Sequence, residues 1–438
     1  MAYKILSSQL ISSAILFISS IILIRTLSKD DYGLYVLIIA FFAFFDLLLG
    51  GTDASLVRFI QSSGKSMQHK LIAAVFSIKT IIVSMILIAL YLLYDTSINM
   101  LNINNDKLHI YYLMYIIISI SFLFKYIATT ISTIINAYML YDLMFKLSVL
   151  SSIVTLFISS SIYFWKLEIW QYVLLTTMWS FCYTVLLVIV FYKQKLISFK
   201  YIKKYINLTD IQYIVKDKIL SYSLPLFGVG ILSYIKNYLP TYIFGTMISL
   251  ESLAVYSIFK KLTDFLHKGY ASFIQRLYPK LFKMIDSKSK AIDKLFWIGL
   301  ILRIFIFIGM YFSYDFILNI YNITEGEYDK FIFITLLSVY LLMYFATYSH
   351  IIIMSTKNTL GIFISSFLRN IPSLFLMYYL FNYYGLIGLL FSIYINAYLG
   401  TSYIIYLAYK ISNKSYLLYI YYLILFFSSI LLYNYSSI

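Results

Sequence analysis

Thirteen stretches of this chain are apolar for long enough to cross a lipid bilayer. They fall at approximately 5–27, 33–57, 71–93, 109–135, 143–164 and 170–192. After a polar break come 220–245, 252–280, 294–314, 329–354, 360–381, 385–409 and 416–435. A helix needs about 20 apolar residues to traverse the hydrocarbon. The runs are continuous and do not alternate, which excludes a transmembrane barrel. A soluble protein would need far more polar surface than a chain that is 62% hydrophobic and 12% charged provides. The pattern predicts an all-α polytopic membrane protein. The first run is too long for a signal-peptide core and lacks a small-residue cleavage site, so it counts as the first helix.

The runs divide six and six around one long polar segment holding seven lysines between Lys193 and Lys218. This predicts an N-terminal six-helix lobe over 1–192, a basic cytoplasmic linker over 193–219 and a second six-helix lobe over 220–410. An additional membrane helix is expected at 411–438. With the N-terminus in the cytoplasm, inner loops and ends carry 21 Lys and Arg, and outer ones carry 5. The positive-inside rule therefore fixes the orientation. The same distribution explains the net charge of +16 without a nucleic-acid partner. An odd thirteenth helix would leave the C-terminus outside, unless it lies along the interface. The outer loops are short, the longest expected at Tyr94–Leu108 and Tyr314–Lys330.

Eight cations fall inside the apolar runs away from their ends: Lys79, Lys125, Lys236, Lys260, Lys261, Lys268, Arg303 and Arg369. Facing lipid, they would cost roughly 20–28 kcal/mol together, at 2.5–3.5 each. That exceeds the net stability of an ordinary fold. Most must therefore face a protein interior or a watery cavity, although Lys79, Lys260 and Lys268 could snorkel to headgroups. Only Asp46, Asp53 and Asp264 lie in the runs as acids, which leaves a surplus of interior positive charge. Asp264 shares a helix face with Lys260, Lys261 and Lys268 and can pair there. Asp46 and Asp53 can each pair with a buried cation or carry a coupling proton. The surplus makes Lys125, Lys236, Lys260, Lys261, Arg303 and Arg369 the candidate contacts for an anion such as a lipid-linked phosphate or diphosphate. Lys79, Asp46, Asp53, Asp264 and Lys268 are candidates for substrate contact or ion coupling.

Pro225, Gly228, Gly230 and Pro240 are expected to interrupt the seventh helix, and Pro372 the eleventh. The one cysteine, Cys182, reads as a small core residue. His69, His109, His267 and His350 form no metal-ligand spacing, and His267 reads as a packed neutral imidazole. There is no GxxxxGK[ST] phosphate loop. No catalytic residue, metal or cofactor is expected; proton or sodium coupling stays open. A faint repeat places Ser28, Asp30, Leu34 and Tyr35 in register with Ser249, Glu251, Val255 and Tyr256, each set opening the second helix of its lobe. Two even-numbered lobes of like topology form a parallel repeat, as in two-lobed transporters.

Several short motifs resemble the Wzx-type polysaccharide repeat-unit flippases of the multidrug/oligosaccharidyl-lipid/polysaccharide exporter superfamily. They are Arg25-Thr-Leu-Ser-Lys-Asp-Asp-Tyr-Gly-Leu-Tyr35 with Gly50-Gly51, Ser223-Leu-Pro225, Val255-Tyr-Ser-Ile-Phe-Lys-Lys-Leu262 and Leu277-Tyr-Pro279. The resemblance spans about residues 1 to 410. It implies two six-helix lobes in a MATE-like V that opens to each side in turn. It also implies flipping of an undecaprenyl-diphosphate-linked oligosaccharide to the outer leaflet of the bacterial cytoplasmic membrane, for O-antigen, capsule or exopolysaccharide synthesis. A cationic cavity would hold the diphosphate and glycan, among membrane lipids and alongside polymerase machinery. The thirteenth helix departs from the twelve-helix core of that family. Two other functions compete: a cation-coupled multidrug exporter, which would want an acidic cavity, and a membrane-embedded glycan polymerase or ligase, which would want a large outer loop.

Overall fold

The computed structural model describes residues 2–50, 52–53, 56, 59–60, 63–138, 140–194, 219, 221–285, 290–323, 326–355, 359–412 and 414–436. The basic linker therefore lies outside the described residues. Thirteen α-helices are described: α1 (Ala2–Thr26), α2 (Lys29–Gly50), α3 (Lys65–Met100), α4 (Leu108–Ala137), α5 (Tyr141–Trp165), α6 (Ile169–Lys193), α7 (Ser221–Ile243), α8 (Leu250–Ile285), α9 (Lys290–Phe312), α10 (Tyr314–Tyr321), α11 (Asp329–Ser355), α12 (Thr359–Ser412) and α13 (Tyr416–Ser436). Among the described residues eight helices are long and apolar enough to cross a membrane, and α9 with α10 adds a ninth as a pair bent by 65°. No strand is present among the described residues. The chain is a multi-pass, all-helical membrane protein.

Its contacts divide it into two compact units, Met1–Tyr234 and Ile235–Ile438, with the division inside α7. In the first unit α1 packs along α5, α4 along α6, and α2 against α3, α4 and α6. The N-terminal part of α7 docks on α2 here. A Cβ on Gly230 would come within 2.7 Å of a Leu47 methyl, and the Tyr234 hydroxyl donates to the Ala40 carbonyl at 3.0 Å.

In the second unit α11 is central, contacting α8, α9, α12 and α13. It is apolar all round, and 78% of its most apolar window is buried, as expected of a helix enclosed by others. Helix α13 is clasped to α9 at both ends. Asp293 accepts from Lys414 and, at 2.5 Å, from the Tyr416 hydroxyl. Tyr311 and Tyr435 share a 2.8 Å hydroxyl contact. The order of these pairs makes the two helices parallel.

Four expectations change. The span 314–330 is not all loop, because Tyr314, Ile317, Leu318 and Tyr321 make one apolar face that buries itself as α10. Helix α3 runs on to Met100, well into the expected outer loop. The prolines do not break their helices: α7 is helical through Gly228, Gly230 and Pro240, and departs from α geometry only at the π turn Phe244–Ile248. Helix α12 passes Pro372 and breaks instead at Gly385, whose φ of 56° and ψ of −137° suit glycine. A Cβ on Gly388 would fall 2.0 Å from the Leu380 carbonyl oxygen. In a straight helix residues eight apart lie about 12 Å apart, so the chain doubles back sharply here. Cys182 is exposed rather than core, because α6 turns an apolar face outward there, with Met178, Phe181 and Val185.

Candidate functional site

Among the described residues, the internal repeat supplies a wall to a cavity in each unit. Ser28 caps α2, its hydroxyl accepting the Asp31 N–H at 3.1 Å, and Ser249 caps α8 in the same way through the Ser252 N–H at 3.0 Å. Seven residues on from the caps stand Tyr35 and Tyr256. Tyr35 lines the first unit's cavity and Tyr256 the second's. The next turn continues the match, with Ile39 in one and Lys260 in the other, then Phe42 in one and Thr263 in the other. Equivalent faces of equivalent helices therefore form both walls.

The first cavity holds about 330 Å³. Asp46 on α2 and Lys125 on α4 meet in it at 2.5 Å, and both are part exposed (34% and 47%). Helix α6 supplies Thr176, Ser180, Tyr183 and Thr184, at steps that keep them on one face. Trp179 completes that wall and donates from Nε1 to the Ser151 hydroxyl at 3.3 Å.

The second cavity holds about 110 Å³. Lys236 and Asn237 reach it from α7, Lys260, Thr263 and Asp264 from α8, and Asn396 and Thr401 from α12. Lys260 donates to the Asn237 carbonyl at 2.6 Å and lies 5.7 Å from the centre of the Tyr256 ring. Tyr256 is itself stacked on Phe244 of the π turn at 4.5 Å. Pro240 has no N–H for the Lys236 carbonyl, so the backbone is poorer in hydrogen bonds beside the cavity. Two ammonium groups face one carboxylate here, so the lining is net positive.

The remaining candidates lie elsewhere. Lys79 is wholly buried and paired with Asp53 at 2.5 Å. Arg303 is also wholly buried; it donates to the Tyr340 carbonyl at 2.6 Å and to His267 Nδ1 at 3.0 Å, stacked on the Tyr340 ring at 4.4 Å. An imidazole nitrogen that accepts from a guanidinium carries no proton itself. Arg303 lines neither cavity. Lys261 is exposed next to Lys260. The side chains of Lys268 and Arg369 lie outside the described ones. Charge alone did not point to Asn237, Asn396, Thr401, Trp179 or the hydroxyls of α6. The run Thr176, Ser180, Thr184 at intervals of four, inside an apolar helix, is the signal that marks the last group.

The fold is that of a membrane protein of two units, each with a cavity, and solved structures of transporters match it along nearly the whole chain. The lipid II flippase MurJ in an inward closed conformation matches with a TM-score of 0.73 at 15% identity, over 98% of this chain and 97% of its own. A point mutant of the Vibrio cholerae MATE transporter VcmN matches with 0.64 at 14% identity, over 93% and 95%. An outward-facing multidrug resistance MATE transporter of the MOP superfamily matches with 0.61 at 11% identity, over 94% and 96%. A sequence comparison with curated proteins gave no significant match. The family model described as polysaccharide biosynthesis protein matches residues 2–285, and the chain belongs to that family.

Proposed function

We propose that this protein flips an oligosaccharide linked to a polyprenyl diphosphate, undecaprenyl diphosphate in bacteria, from the inner to the outer leaflet of the cytoplasmic membrane. The glycan serves O-antigen, capsule or exopolysaccharide assembly, and the N-terminus is cytoplasmic. The observation that carries this reading is a net-positive cavity lined by Lys236 and Lys260, in a multi-pass membrane chain of a polysaccharide biosynthesis family. Such lysines attract an anionic headgroup strongly, because the surrounding medium screens poorly. Transport proceeds by alternating access. An inside-negative potential assists an anion outward by roughly 2.3 kcal/mol per charge per 100 mV. Proton or sodium coupling, if used, would serve return of the empty carrier. No chemistry on the substrate is required, so the protein acts as a carrier and not as an enzyme.

A multidrug exporter of the same fold would attract organic cations, and two lysines against one aspartate oppose that. A polymerase or ligase would want a large outer loop carrying catalytic groups, and the outer loops expected from the sequence are short. The test is surface display of glycan in a strain lacking the chromosomal copy. Lys236→Ala with Lys260→Ala should abolish display at normal protein level, and lipid-linked oligosaccharide should accumulate on the cytoplasmic side. Arg at both positions should restore it in part. Full display by the double alanine variant would overturn the proposal.

A further inference from the structure

The two cavities share a repeat-related wall but differ in hydrogen-bonding character. In the first, four of the lining hydroxyls spend their protons on carbonyls of their own helices. Ser121 donates to Ile118 at 2.6 Å, Thr176 to Val173 at 2.9 Å, Ser180 to Thr176 at 2.9 Å and Thr184 to Ser180 at 2.7 Å. What these side chains offer the cavity is lone pairs. Asp46 adds a carboxylate whose Oδ2 takes Lys125 and whose enclosed Oδ1 meets no donor among the described residues. The one cation among the lining residues is thus neutralised by its own acid, and these groups present acceptors beside the hydroxyls of Tyr35, Ser151, Thr177 and Tyr183. Aromatic rings of Tyr35, Phe122, Trp179 and Tyr183 complete the wall.

A phosphate has only acceptor oxygens, so it would find lone pair against lone pair and a lysine already engaged. A saccharide is the reverse. Its hydroxyls are donors that acceptors can receive, and its C–H faces suit aromatic rings, whose faces are negative. About 330 Å³ lies within the range of small-molecule sites. We infer that the cavity of the first unit is a subsite for the uncharged sugars of the transported glycan, organised by the Asp46–Lys125 pair, and that it does not hold the diphosphate. This rests on the flippase reading and assigns the diphosphate to Lys236 and Lys260 of the second unit.

The test uses the full chain in lipid nanodiscs. Of its four tryptophans only Trp179 lines this cavity, so Trp165, Trp170 and Trp297 are changed to Phe in a background checked for glycan display. The probes are the neutral oligosaccharide released from the host's own lipid-linked glycan, and inorganic diphosphate, with binding of each also followed by calorimetry. Saccharide should shift the Trp179 emission and diphosphate should not. Thr176→Val with Ser180→Ala, or Asp46→Asn, should weaken saccharide binding about tenfold or more and leave diphosphate binding unchanged. Lys236→Ala should do the converse. A diphosphate-dependent Trp179 shift, or saccharide binding indifferent to the cavity substitutions, overturns the subsite while leaving the flippase intact. Should neither probe bind by calorimetry, the flippase reading falls as well.

Discussion

At the scale of single residues, the charges inside this membrane protein sort by what surrounds them. Lys79 and Asp53 make a closed pair, one partner wholly buried and the other at 24%. Removing one member strands the other, which costs about 3–5 kcal/mol for a buried pair. Asp53→Ala should therefore lower the melting temperature in detergent sharply. Lys79→Met with Asp53→Leu should recover most of the loss, since an apolar pair of like volume leaves no charge unmatched. Arg303 differs in kind, being held by a carbonyl, an imidazole and two aromatic faces. Arg303→Lys should reduce transport only in proportion to the folded protein that survives. Lys260→Ala should abolish transport while protein level holds, and quantitative blotting beside glycan display separates the two cases.

At the scale of elements, the helices were legible in the sequence because each apolar run must satisfy its own backbone inside lipid. Their breaks were less so. Pro240 and Pro372 look like interruptions, yet neighbouring helices hold both segments in helical form, and the reversal comes at Gly385. The sequence already parts its apolar runs between 381 and 385, but the positive φ that makes the reversal shows only in the structure. Helix α10 is hidden for a related reason: an amphipathic segment of eight residues is too short to stand out beside membrane-length runs. Gly388→Ala should reduce folded yield severely, because the Leu380 carbonyl occupies the space of the new methyl. Gly385→Asn and Gly385→Val should both lower it as well, since ψ of −137° lies outside the left-handed α region that asparagine enters. Yield and thermal stability of the three variants check both statements.

At the scale of the whole molecule, interior charge was legible but its pairing was not. A sequence shows which cations lie in apolar runs. It does not show that Asp46 reaches Lys125 seventy-nine residues away, so the surplus of positive charge had to be assigned to the chain at large. The two clasps between α9 and α13 bear on topology in the same way. Parallel helices cross in the same direction, so the C-terminus should emerge on the side where α9 ends, which is outside if the N-terminus is inside. In a Cys182→Ser background, Lys166→Cys and a cysteine added after Ile438 should react with an impermeant maleimide in intact cells. Lys410→Cys should react only after lysis.

The matched serine caps and tyrosines at the start of α2 and α8 also bear on how such a protein changes over generations. The two units share the start of one architectural plan, yet matched positions on the wall carry isoleucine and phenylalanine in one and lysine and threonine in the other. Selectivity for what is carried can then drift in one half without any renegotiation of the packing in its twin. A lineage built this way can follow a changing surface polymer by small edits to a wall, leaving the frame alone.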